Sequence, residues 1–503
     1  MKNFKILLFV AVASLFAACD DAIDIKQPSE LLPENAFQTL DDLKLGLNGV
    51  YGAASGEDVI LFTSIFTDEV RLGTANGGQG RDGSLAFLLN NNSGDAASIW
   101  VNNYALINFA NRLLLGAKNI TPTEEELPTY NNVLAETRAL RAFGHFQLLT
   151  FFAPNMQDDN SLGVIAMDFV PTTDQQLPRN TVGEVFALIN SDLDFAFENL
   201  TANSSNSRIS VSKDFVRAFR ARMAVYRGQY NAAEADLDVL IAAYGLTKKF
   251  APGQTSVNLG NPDDLLTKSS YNRMFRDEPL PGGNSNPNEV IFKFDRAVTG
   301  TTGNFYQYWS SVNTTTTGSA FFEVATALFE KYNPSDIRRT VVIDPTSFPA
   351  FRIRPVGKYS KSVSVNFLAD VKIFRASEMR LLKAEVLAHR SDFDGVAAQI
   401  NAIRTARFND ATGNIAVPTN AVEAFAAILN ERRLELAFEG HRYIDIKRLG
   451  KLAGGIGIDR STSDFSFNEA YTLPLDDHRW TLPIPRAEAS ANPTIVQNPG
   501  YGN

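Results

Sequence analysis

Apolar residues recur at alternating steps of three and four through the first half of the chain, and each such stripe predicts a helix buried along one face. Trp100, Tyr104, Ile107, Asn111 and Leu114 form one stripe, and Leu140, Phe143, Gly144, Leu148 and Phe151 form another. Thr181 stands three residues before Glu184, the spacing of a capping box. Val182, Val185, Phe186, Ile189 and Leu193 then follow at helical intervals. A helical pair comes next, with Val216, Phe219, Met223 and Tyr226 on one member and Ala233, Leu237, Leu240, Ile241 and Tyr244 on the other. Such pairs cannot bury their apolar faces alone, so they are expected to stack on one another.

The turn between those two helices carries Gly228, Tyr230 and Ala233, which resemble the middle of a tetratricopeptide repeat. Residues 246–375 follow a different pattern. Gly, Pro, Asn, Thr and Ser are dense, and only short alternations (Val290, Phe292, Phe294; Phe351, Ile353) hint at strands. One helix is expected to interrupt this stretch over Phe321–Tyr332. Helical spacing returns at Met379, Leu382 and Val386, at Val396, Ile400 and Ile403, and at Val422, Phe425, Leu429 and Leu436. From Trp480 onward the chain is rich in Pro and Asn, and no regular structure is expected. The fold class read from this pattern is mainly α: a solenoid-like platform of helical pairs, an irregular loop-rich region and a few short strands. Residues 1–18, 19–245 and 246–503 are the natural divisions, with central loops at 246–375.

The first division has the layout of an export signal. Lys2 and Lys5 precede an apolar run from Ile6 to Phe16, and Ala17 and Ala18 lead to Cys19, the single cysteine of 503 residues. The run is too short to span a bilayer. Cleavage before Cys19 would leave a thiol able to carry lipid, as in bacterial lipoproteins. Removing residues 1–18 takes away two lysines and no acids, moving the formal charge from −9 to −11. An acidic chain without a basic block is a poor match for nucleic acid or an anionic membrane surface.

Familiar chemical motifs fail on inspection. Gly78, Gly80 and Gly83 spell a dinucleotide-type pattern, but no strand leads into it and no acid follows at the required distance. Asp158, Asn160 and Gly163 imitate a calcium loop, with Leu162 and Phe169 where oxygen ligands belong. His145, His389, His441 and His478 are scattered, so no zinc site or other cofactor is implied. Glu435 and Glu439 are the best carboxylate pair, one helical turn apart. Arg432 and Arg442 lie close by, and cations there would lower both acidities, the opposite of what a general acid requires. An ion-pair network is the expected role.

The run from Asn430 to Arg448 (NERRLELAFEGHRYIDIKR) closely resembles the C-terminal hallmark of the SusD/RagB family. Leu482–Arg486 (LPIPR), Asn492-Pro493 and Gln497–Tyr501 look like that family's terminal signature. Tyr104–Leu114 with Ala110-Asn111, and Ile373–Glu378 leading into Ala384-Glu385, are weaker matches. The resemblance implies a non-enzymatic lipoprotein on the outer face of the outer membrane, held through Cys19, with Asp20 and Asp21 similar to the acidic export signal. It further implies capture of oligosaccharides for a SusC-like TonB-dependent transporter. A peptide ligand, as in the RagB branch, and an exported glycoside hydrolase are the alternatives.

Sugar recognition uses flat apolar faces for stacking and planar polar groups for hydroxyls. Tyr306, Tyr308 and Trp309 lie in an aromatic run set among Gly and Thr, and are the first candidates. Asp68, Arg71, Asn76, Gln79 and Arg81 form a second, polar candidate loop, whose glycines permit close backbone approach.

Overall fold

A computed structural model describes residues 36–73, 83–203, 207–278, 289–296, 305, 308–309, 321–344, 353–359, 369–464 and 471–502. Cys19, Asn76, Gln79, Arg81 and Tyr306 lie outside the described residues. The principal helices are α1 (Leu40–Ala53), α2 (Glu57–Phe66), α3 (Gly94–Ala117), α4 (Leu127–Phe152), α5 (Val182–Asn199), α6 (Lys213–Tyr226) and α7 (Tyr230–Ala243) in the first half. The second half holds α8 (Ala376–His389), α9 (Phe393–Phe408), α10 (Ala421–Glu435) and α11 (Arg442–Leu449). Among the described residues, four short strands complete the frame: β1 (Val70–Leu72), β2 (Val290–Phe294), β3 (Phe322–Val324) and β4 (Val371–Arg375). The fold is mainly α, as the periodicity requires.

The helices stack in sequence, α3 on α4, α4 on α5, and α6 on α7. The stack does not end with the first half. α8 packs on α7, and α9 and α10 pack on α8, so the second half extends the same layer. At the α6–α7 turn, Gly228 adopts φ +72°, a left-handed conformation that favours glycine, and so the two helices can fold back tightly. The capping box at α5 forms as its spacing predicts. Glu184 N donates to Thr181 Oγ1 at 3.2 Å, and Thr181 N donates to Glu184 Oε2 at 2.8 Å.

The strands form two antiparallel ribbons, β1 with β3 and β2 with β4. In the first, Arg71 pairs with Glu323 and Leu72 with Phe322. The second lays an aromatic face on the helices. Phe215 meets Phe292 at 4.7 Å and Phe374 at 5.3 Å between ring centroids, and Phe143 meets Phe294 at 5.7 Å. These offset and edge contacts join the irregular region to α4 and α6. One apolar core runs from Leu43 through to Ile495, and a smaller cluster lies between α8, α9 and α10.

Two expectations change, and one helix joins those the spacing marks out. Residues 321–332 hold β3 and one short turn of helix at Thr326–Phe329 rather than a continuous helix. The charged hallmark contains α11, which its crowding of Arg, Asp and Lys concealed. The Pro-rich tail contains the short helix Arg486–Ala491 and serves as a clamp on the end of α4. Leu482 N donates to Phe151 O at 2.8 Å, and Asn498 Nδ2 donates to Phe152 O at 2.9 Å. Arg179 Nη2 donates to Phe152 O at 2.9 Å and Lys447 Nζ to Ala153 O at 3.1 Å. Carbonyls of the kind every helix leaves open at its C-terminus, here those of Phe151 and Phe152 and of the adjoining Ala153, are thereby satisfied inside the protein.

Thr181→Ala removes the capping hydroxyl and is expected to destabilise the fold by about 1 kcal/mol. Amide hydrogen exchange should accelerate in the first turn of α5 and remain unchanged in α3. Unaltered exchange at Glu184 would contradict the role of this cap.

Candidate functional site

The hallmark segment forms a buried electrostatic hub. Glu435, the last residue of α10, receives Arg375 Nη1 at 2.9 Å and Arg407 Nη2 at 2.7 Å on one oxygen, and Arg338 Nη1 at 3.3 Å on the other. Glu289 shares two of these cations, with Arg375 at 2.6 Å and Arg407 at 2.7 Å. Glu439 takes Arg375 Nε at 2.8 Å and also Lys358. Arg338 also reaches Asp336 and Glu431, and Arg404 binds Glu431. Burial alone would raise the Glu435 and Glu439 carboxyls, but the surrounding guanidinium groups and Lys358 outweigh it and hold both below the usual range.

The ion-pair role expected for the two glutamates is therefore present, but with different partners. Arg432 turns to Asp445 at 2.8 Å and Glu385 at 3.5 Å, while Arg442 grips Asp68 with two bonds of 2.8 Å. Nor do the two share a helical turn. α10 ends at Glu435, and Glu439 sits in the following turn, where Phe438 (φ +60°) and Gly440 (φ +84°) are left-handed. Phe438, a residue type that rarely adopts this conformation, is held from both sides. Its N–H donates to Glu69 Oε1 at 3.0 Å, and Tyr359 Oη donates to its carbonyl at 2.6 Å.

Asp68 is a correction to the polar candidate loop. It is fully buried between Arg442 and Arg433, which hold its carboxyl far below the usual range despite burial, so it is out of reach of a solvent-borne ligand. Arg71 keeps 18% of its side chain exposed, with Nη2 on Glu323 at 2.9 Å and Nη1 3.5 Å from Asp464. Between them chemically lies Glu69. It is fully buried, and desolvation raises it to about 7 although Ser64 and Phe438 N donate to it. An acid enclosed in the core cannot reach a substrate, whatever its acidity.

Trp309 is a second correction. Its exposure is 0%, with the ring stacked on Phe305 at 4.4 Å and on Tyr359 at 5.5 Å, edge-on to Phe438 at 5.7 Å. It belongs to the wall behind the hallmark turn, because its neighbours Phe305 and Tyr359 supply enough apolar surface to enclose it. Tyr308 differs. It is half-buried, edge-to-face with Phe321 at 5.7 Å and tilted on Phe322 at 6.0 Å.

β3 thus joins the two candidate regions, since Phe322 supports Tyr308 and the next residue, Glu323, holds Arg71. Arg354 completes the face. Its N–H donates to Glu323 Oε2 at 3.1 Å and its Nη1 to Thr326 Oγ1 at 2.9 Å. Phe321 and Arg354, both half-exposed, escaped sequence reasoning. The Phe321-Phe322 doublet beside a Gly- and Thr-rich run was the available signal. Tyr308 with Phe321 forms one partly exposed aromatic pair, and Arg71 with Arg354 forms a guanidinium pair held by Glu323, the two pairs being supported by consecutive residues of β3.

With that geometry in view, the comparisons are consistent along the chain. A profile described as the SusD family matches residues 357–501, and one described as starch-binding associating with outer membrane matches residues 20–225. Two SusD-like proteins of Formosa agariphila are each 25% identical, one over 91% of this chain and 93% of its own length, the other over 100% of both. The fold matches a SusD superfamily protein of Bacteroides thetaiotaomicron with a TM-score of 0.73, at 21% identity over 92% of this chain and 100% of that one. A SusD-like carbohydrate binding protein of Bacteroides vulgatus gives 0.67, at 19% identity over 92% of this chain and 98% of that one. The chain belongs to the SusD/RagB family.

Two outcomes follow from the charges. Glu435→Gln leaves three arginines short of one buried carboxylate, and should cost about 3–5 kcal/mol in denaturant unfolding. A loss below 1 kcal/mol would remove Glu435 from the centre of the network. Glu69 titrates higher folded than its ordinary 4.5, so its contribution is complete below pH 4.5 and is lost as pH rises through about 7. Glu69→Gln should therefore gain stability relative to the parent between those limits, measured as unfolding free energy against pH; a difference independent of pH would contradict the burial argument.

Proposed function

We propose that this protein is an outer-membrane glycan-capture protein without catalytic activity, anchored through Cys19 at the cell surface. Its ligand passes to a SusC-like TonB-dependent transporter. The observation that carries this reading is membership of the SusD/RagB family. Partly exposed aromatic and guanidinium groups supported by β3 favour it. The hydrolase alternative finds no support in the charges: Glu435 and Glu439 are neutralised inside the core, and Glu69, raised to about 7, is sealed from solvent.

Affinity electrophoresis through gels containing single polysaccharides tests the reading. At least one glycan should retard the protein without releasing sugar, and Tyr308→Ala should weaken retardation roughly tenfold, the scale of one lost stacking contact. Trp309→Ala should instead lower stability, by about 3–5 kcal/mol as for other buried aromatic truncations. Retardation by none of the glycans would shift the ligand to peptides, and released sugar would overturn the non-catalytic reading.

A further inference from the structure

Among the described residues, the shortest ring-to-ring separation lies far from β3 in the chain and borders an open groove. Tyr230, the first residue of α7, stacks on His389, the last residue of α8, with centroids 3.6 Å apart and planes inclined by 28°. His389 in turn meets Phe425 edge-on at 4.9 Å. Here His389 and Arg390 are exposed, Tyr230 is half-exposed, and the groove beside them, open to solvent, has a volume of about 570 Å³. That is within the range of small-molecule sites, roughly 300–1,000 Å³.

The lining combines carbon and planar amides. Gly228, Tyr230, Ala232 and the His389 ring supply the apolar surface, while Gln229 and Asn231 bring exposed carboxamides to its edge. The nearest atoms to a side chain on Gly228 would be those of Gln157, at 3.6 Å, an ordinary van der Waals distance. Asn231 is oriented: its Oδ1 accepts from Arg390 Nη2 at 2.8 Å, which leaves its NH₂ group to donate. Arg390 is committed to Glu234 through bonds of 2.8 and 2.7 Å, so its charge is already balanced. Aromatic surface with amides and a neutralised cation suits hydroxyl groups better than carboxylates.

We propose that this groove is a second carbohydrate subsite, specific for a neutral sugar ring, on the helical platform and separate from the β3 face. The class of ligand rests on the glycan reading above, but the site stands on its own residues. Two subsites on one rigid body would hold a long chain at two points and strengthen its capture without any increase at either one.

Hydrogen exchange of the full chain with millimolar maltohexaose, xylohexaose, mannohexaose and laminarihexaose in turn tests the subsite. At least one should protect residues 228–232 and 389–390. Asn231→Ala, at an exposed position where folding is not at risk, should weaken that protection threefold to tenfold, on the order of one neutral hydrogen bond. Tyr230→Ala should weaken it about tenfold, whereas Tyr308→Ala should leave it intact. Absence of protection with all four sugars, protection unchanged in both groove variants, or protection lost in Tyr308→Ala would each overturn the proposal. Failure of the β3 face alone is distinct from these, because it would appear as gel retardation insensitive to Tyr308→Ala while the groove remains protected.

Discussion

Glu435 is the point on which the architecture turns. Three arginines reach it from segments distant in sequence: Arg338 before α8, Arg375 at the end of β4 and Arg407 near the end of α9. Around it, Arg338, Arg375, Arg404, Arg407 and Lys358 face Asp336, Glu289, Glu431, Glu435 and Glu439, five charges of each sign. Removing so many ions from water carries a penalty of several kcal/mol each, and only near-complete pairing offsets it. The network therefore admits few arrangements of its contributing segments. It specifies how the irregular region meets the helices more than it adds to net stability.

The same segment controls what lies beyond it. Once α10 ends at Glu435, Glu439 must return toward Arg375, and the chain does so through left-handed Phe438, with left-handed Gly440 following. Glu69 and Tyr359 hold that turn, which ties it to the start of β1 and to the aromatic wall containing Trp309. β1 is then registered against β3 through Arg71 and Glu323, and Tyr308 rests on the adjacent Phe322. A charge network in the interior is in this way connected, bond by bond, to the face proposed to receive ligand. Rigid support of this kind reduces the ordering cost of binding.

The clamp on α4 does comparable work at the other end of the chain. A helix of 26 residues ends inside the protein, and its last carbonyls need donors. Residues 179, 447, 482 and 498 supply them from four separate segments. This explains the chemistry of the tail. Gln497 exchanges two hydrogen bonds with Ile484, and Asn498 bridges Phe152 and Leu482, so planar amides are needed where a loop would tolerate many residues.

What was legible in the sequence was local. The stripes through Trp100, Leu140, Val216 and Met379 lie on helices, and Thr181 with Glu184 caps one, because helical neighbours are set by spacings of three and four along the chain. The hallmark and terminal residues were also legible as a family pattern, although not the bonds that require them. Partner choice was not. Arg432 and Arg442, three residues from Glu435 and Glu439 respectively in sequence, bind other carboxylates, and cations more than twenty residues away take their place. Trp309 and Asp68 looked suited to a ligand because their immediate neighbours are Gly, Thr and polar residues, yet each is enclosed by residues from elsewhere. The pairing of Tyr230 with His389 joins positions 159 apart. Secondary structure is decided by contacts a few residues long, which a sequence displays. Burial and ion pairing are decided by which distant segments arrive at the same place, and only the folded chain brings them there.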